Sequence, residues 1–199
     1  MKNQPNPMID VVVISVLVTL AVASRLLPHA PGFAAVTGAS MFAGFYLRRG
    51  SIAYLIPLIV LSLSDVVLGF YAPLLMVTVY LVAAVPVLFG RWMRGNATPL
   101  RLVTSAICCS VLSLIVVDFM VWLTSAWYAK TATGLMECYL AALPFFKYRM
   151  AGDVGYVAVI FGVYALVAHR WPSVAVEPLS RARSWSGRLF APWGKSEQA

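Results

Sequence analysis

"ECYLAALPFFKYRMAGD", residues 137–153, is the stretch on which the fold turns. Four charged side chains, Glu137, Lys147, Arg149 and Asp153, crowd around two phenylalanines and a proline in a chain that otherwise reads as apolar. An apolar run follows from about 152 to 167, long enough to approach the ~20 residues that a bilayer requires of a helix. The piece before it, Leu135–Phe146, is shorter and amphipathic, with Pro144 placed to break it. The spacing therefore predicts a short re-entrant or interfacial helix, then a last span. It does not predict a seventh crossing.

Working outward, five more apolar segments qualify as spans: 10–27, 33–47, 52–71, 73–89 and 102–128. The second is short and rich in small residues. Pro57 and Pro86 fall inside spans, where neighbouring helices can satisfy the carbonyls they free. The expected fold class is an all-α membrane protein of six transmembrane helices plus the short helix. Residues 1–171 form the membrane domain and 172–199 a basic tail that rests on the membrane surface or stays disordered.

The composition agrees. Of 199 residues, 61% are hydrophobic and only 11% charged, against about 25% charged in soluble domains. The net charge of +8 does not point to nucleic acid, because the basic residues flank apolar runs and form no aromatic-interleaved stripe. Cys108, Cys109 and Cys138 have no spacing that suggests a metal centre or a disulfide framework, and no cofactor is implied. The start of the chain resembles a signal peptide, with Lys2, an apolar run and "AVAS" at 21–24. Asp10 and the further spans that follow favour a retained helix.

Lys and Arg set the orientation. With the N-terminus inside, Lys2, Arg48, Arg49, Arg91, Arg94, Arg101 and the tail are cytoplasmic, leaving Arg25, Lys130, Lys147 and Arg149 outside. Both termini are thus expected in the cytoplasm of a bacterial plasma membrane. In that frame Asp65, Asp118 and Asp153 lie in the outer half of the bilayer, Asp118 ~24 Å along its helix. A carboxylate within a span costs at least ~2.5 kcal/mol, so it faces a partner or a watery cavity. Arg25, Lys147 and Arg149 are candidate partners. Trp122 shares a helix face with Asp118, while Tyr71, Tyr139 and Phe146 are candidates for the walls of an outward pocket, with His29 and Glu137 near its rim. Purely structural ion pairs are the competing explanation. Ser15, Thr19 and Ala23 recur at four-residue intervals on the first span, a small-residue face on which another helix can pack.

Three blocks carry a resemblance. They are "RLLPHAPGFAAVTGASMFAGFYLRR", "LSLSDVVLGFY" and "DFMVWLTSAWYAKTATGLMECYLAALPFFKYRMAGDVGY". They look like blocks of an uncharacterised family of small bacterial integral membrane proteins. That family in turn is similar to the substrate-binding S components of energy-coupling factor transporters. The resemblance implies six helices, an outward pocket that captures a vitamin or metal ion, and docking through the first helix on a transmembrane coupling subunit energised by ATPases. Ser15, Thr19 and Ala23 stand where S components carry an Ala-rich docking motif. Asp118 replaces a neutral amide more usual among relatives.

The expected role is capture of a small nutrient rather than catalysis, since the chain has no nucleotide-binding loop and no HExxH or GxSxG motif. A structural or assembly protein is the alternative, and an intramembrane enzyme using the buried carboxylates is a further one.

Overall fold

The computed structural model describes residues 7–28, 32–47 and 49–170. His29, Lys2, Arg48 and the 172–199 tail lie outside them. The secondary structure of the described residues is entirely helical: α1 Pro7–Leu26, α2 Val36–Tyr46, α3 Gly50–Leu68, α4 Pro73–Trp92, α5 Pro99–Thr124 and α6 Ala132–Arg170, with a 3-10 turn at Met93–Gly95. Five of them, all but α2, are long and apolar enough to cross a membrane.

The helix ends follow local chemistry. Gly69, at φ +97°, ends α3, and its N–H returns to the Asp65 carbonyl; a side chain there would strain the left-handed backbone. Pro73 and Pro99 open α4 and α5, where a missing N–H costs no intrahelical bond. The Thr98 hydroxyl caps α5 by accepting from the Arg101 N–H at 3.3 Å.

Two elements depart from the expected plan. The first is α6, one helix of 39 residues where a re-entrant piece and a separate span were expected. At 1.5 Å per residue it is about 58 Å long, nearly twice the ~30 Å hydrocarbon core. Pro144 does not end it, since a proline removes only one bond, to the carbonyl four residues back. Side-chain bonds to α5 from Cys138, Tyr139, Arg149 and Asp153 hold the helix on both sides of that gap.

The second is α2. Eleven residues reach only about 16 Å, too little to cross, and residues 38–46 are all buried. An apolar helix without a polar face belongs inside the bundle, and α2 sits there against α4, α6, α3 and α1. Small residues permit the approach. A Cβ on Gly44 would fall 2.2 Å from the Val87 carbonyl oxygen, and one on Gly90 would fall 1.9 Å from that of Met41. Backbone meets backbone there, as small residues allow in membrane bundles. Phe42, Phe45 and Tyr46 pack on Phe161 and Tyr164 of α6 with ring centroids 5.1–5.9 Å apart. Arg94 closes the C-terminal end of α2, donating to the Gly44 carbonyl at 2.6 and 2.8 Å and to that of Leu47. These are carbonyls that a helix end leaves without partners.

The register of Gly44 beside Val87 starts α2 well below the first residues of α4. About two turns of α4 continue past it. The end of the bundle that holds Arg25, Gly69 and Ser125 is called distal below, and the end with Arg49, Arg91 and Arg101 proximal. Because α2 stops short, the distal half of the bundle encloses a space above its N-terminus.

Candidate functional site: a polar cavity above α2

That space is a cavity of about 330 Å³, within the range of small-molecule sites. Its polar lining is Arg25 from α1, Thr37 from α2, Ser113 from α5, and Arg149 and Asp153 from α6. Leu61, Leu68, Val82 and Pro86 supply apolar wall. Helical spacing explains the pairing. Arg149 and Asp153 are four apart on α6, Ser110 and Ser113 three apart on α5, so each pair shares a face. The two helices run antiparallel. The Arg149 guanidinium donates to the Ser113 hydroxyl at 3.0 Å, and the Ser110 hydroxyl donates to the Asp153 carboxylate at 2.6 Å. The Thr37 side chain lies near Asp153. Asp153 is buried and held by the Ser110 hydroxyl.

Arg25 and Asp65 make the ion pair of the site, 2.7 Å apart. The Tyr80 phenol donates to the other carboxylate oxygen at 3.2 Å. Asp65 is 1% exposed and stands behind Arg25 rather than on the cavity surface. Tyr71, half-buried in the α3–α4 loop, has its phenol pushed up to about 12, first by burial and then by the Asp65 charge.

Arg149 differs from Arg25. Its hydrogen bond goes to a neutral hydroxyl, and among the described residues no carboxylate lies within 4 Å of it. The charges of Asp118 and Asp153 reach it only at longer range. Gly32, at φ +80°, lets the chain leading into α2 close on this side chain; a Cβ there would stand 3.1 Å from that of Arg149.

The other expected site residues lie elsewhere. Lys147 is exposed on the far side of α6, its ammonium 5.0 Å from the Tyr148 ring; two residues from Arg149, it points the other way. Glu137 is exposed, and Phe146 is half-buried outside the cavity. Asp118 is half-buried on α5, where its backbone carbonyl accepts from the Cys138 thiol at 3.5 Å. Trp122 does not line the cavity. Its indole N–H donates to the Ala129 carbonyl at 2.8 Å, and Lys130 covers its ring at 5.5 Å. Trp122 pins the α5–α6 turn. Tyr139 donates to the Ile115 carbonyl at 2.7 Å and faces a different hollow. On α1, Ser15 and Thr19 are exposed and Ala23 half-buried.

The different hollow is an apolar groove of about 380 Å³ between α4, α5 and α6, lined by residues such as Leu81, Phe119 and Met120. Leu81, Ile115 and Phe119 are exposed, as suits a surface solvated by lipid. The groove carries no charged group, so it is not the polar site.

Thr37, Ser110, Ser113 and Gly32 were not among the expected site residues. The one available signal was the i, i+3 serine pair on an apolar helix, opposite an i, i+4 Arg–Asp pair. Among the described residues no three His, Cys, Asp or Glu side chains converge to hold a metal ion.

An all-helical bundle with five helices suited to crossing a bilayer, and charged groups gathered inside it, is a multi-pass membrane protein. The chain belongs to a family of unknown function, DUF6580, whose model matches residues 5–174. No curated protein and no solved structure matches it.

Proposed function

We propose that this membrane protein captures a small anionic solute in the distal cavity, as the substrate-binding part of an uptake system. One observation carries the reading: the Arg149 guanidinium lines a roughly ligand-sized cavity with no carboxylate of the described residues within 4 Å. A cation held inside a bundle without a close counter-ion is costly, and a carboxylate or phosphate on a ligand would complete it with charge-assisted hydrogen bonds. Asp153, Thr37 and Arg25 then select among anions by their remaining polar groups, and Leu61 and Pro86 accept apolar parts.

In this reading the distal end faces outward and both termini are cytoplasmic, which places the Arg49, Arg91, Arg94 and Arg101 cluster inside. The chain binds rather than catalyses. A transmembrane coupling subunit and ATPases, the arrangement of S components, would supply energy, with Ser15 and Thr19 available on the exposed face of α1 for docking.

The test is ligand-dependent thermal stabilisation of purified protein against a panel of small carboxylates and phosphorylated solutes. A member of the panel should raise the unfolding midpoint, Arg149→Gln should lose that response, and Lys147→Gln, outside the cavity, should keep it. A flat panel, or equal responses from wild type and Arg149→Gln, would hand the site to the structural reading.

A further inference from the structure

The polar cavity and the apolar groove share a wall, and the wall is thin. Val82 of α4 lines both. On α5 the neighbouring Val116 and Val117 face the groove and the cavity respectively. The seam between the distal halves of α4 and α5 is therefore one side chain deep.

Among the described residues nothing polar ties this seam. Thr78 bonds its own helix at Leu74, Tyr80 turns to Asp65, and the Ser105 contact to Met93 lies at the proximal end. Among the described residues no side-chain hydrogen bond joins α4 to α5 distal to Met93. The α4 backbone is also weakened here. Pro86 lies inside α4 and has no N–H for the carbonyl four residues earlier, which is that of Val82. The residue that separates the two hollows is the one whose helical hydrogen bond is missing. Such prolines are the usual sites of helix bending.

The geometry points to an amphiphile as the occupant: an anionic headgroup on Arg149 and Arg25, with a hydrocarbon tail passing between α4 and α5 over Val82 into the groove. This rests on the cavity reading above and narrows its substrate class. Charge fits the head, because no carboxylate of the described residues lies within 4 Å of Arg149. Solvent fits the tail, because the groove is apolar, uncharged and opens to lipid, so each methylene stays in a hydrocarbon environment and the route needs no aqueous path. A lipid-linked anion and a free anion share the head chemistry; only the first uses the seam.

The test uses the full chain in phosphatidylcholine nanodiscs, with dodecyl phosphate and dodecanoate as amphiphiles and propyl phosphate and butyrate as head-only probes. Binding is read from the unfolding midpoint as a function of probe concentration. Wild type should bind an amphiphile at least about tenfold more tightly than its head-only counterpart. Val82→Trp, at the shared wall, should remove that difference. Thr78→Trp, which fills the groove from the lipid side without touching the cavity, should remove it too and leave head-only binding within about twofold, and it decides the matter where Val82→Trp does not fold. Equal affinity for long and short probes, or a difference that survives Thr78→Trp, overturns the tail route and leaves anion capture standing. No binding of any probe, with Arg149→Gln indistinguishable from wild type, removes the cavity reading and the tail route with it.

Discussion

Asp65 shows how a carboxylate is kept in a membrane bundle. It is fully buried, yet one oxygen meets Arg25 at 2.7 Å and the other accepts from Tyr80 at 3.2 Å. Both partners come from other helices, so the pair ties α1, α3 and α4 together at the distal end. Removing one partner of a buried pair strands the other charge and typically costs 3–5 kcal/mol, roughly what is expected for Arg25→Gln. The double variant Arg25→Gln/Asp65→Asn should recover more than half of that loss, because no unpaired charge remains. Chemical or thermal unfolding of the three variants in one detergent gives the comparison. A double variant as weak as Arg25→Gln alone would show that Asp65 gains its stability elsewhere. The sequence offered Arg25 only as one of three candidate partners for the intramembrane aspartates, beside Lys147 and Arg149; the bundle selects it for Asp65. The sequence did not reveal Ser110 or Ser113. A serine in an apolar run can equally bond its own helix, as Ser110 also does to the Ala106 carbonyl, and only the antiparallel register of α5 and α6 brings it to Asp153.

Among the elements, α6 was the hardest to read. Pro144 is a strong local breaker in water, and the charged residues after it look like a loop. In a bilayer a broken helix exposes carbonyls that lipid cannot satisfy, which favours continuing through the proline at the loss of one bond. Replacing Pro144 with alanine restores an N–H for the Leu140 carbonyl. Pro144→Ala should therefore leave the unfolding midpoint unchanged or raise it, as differential scanning of the purified protein would show. A drop of more than about 4 °C would mean that the chain needs a break at this position. By contrast, α2 was recognised as short and small-residue-rich, but its burial on every side was not. Gly44, Gly90 and the Arg94 cap lie on different segments, and no local pattern states that they meet.

For the molecule as a whole, the lipid-solvated class was plain from composition, and the number of long helices was not. Merging two expected elements into α6, and reducing another to the half-length α2, changes the count while preserving the side on which each end emerges. The even alternation of α1 to α6 brings Leu26, Leu68, Thr124 and Ala132 to one end and Gly50, Trp92, Pro99 and Arg170 to the other. The reading of the distal end as outer is checked by single cysteines, introduced in a background lacking Cys108, Cys109 and Cys138. A membrane-impermeant maleimide added to intact cells should label Ala126→Cys, an exposed position beside Ser125, and spare Gly95→Cys, with the order reversed in inside-out vesicles. Labelling of Gly95→Cys from outside would invert the topology and move the cavity to the cytoplasmic face.

The length of α6 has one more consequence. Its proline lies before Arg149, so from the cavity to the proximal end the helix contains no proline. Arg149 and Arg170 are separated by about 32 Å of it, with Phe161 and Tyr164 bearing on the rings of α2 between them. That segment is a lever with its long arm in the cavity and its fulcrum on the buried aromatic cluster. A tilt imposed on this segment at Arg149 would reappear at His169 and Arg170, at the proximal end, in the reverse sense.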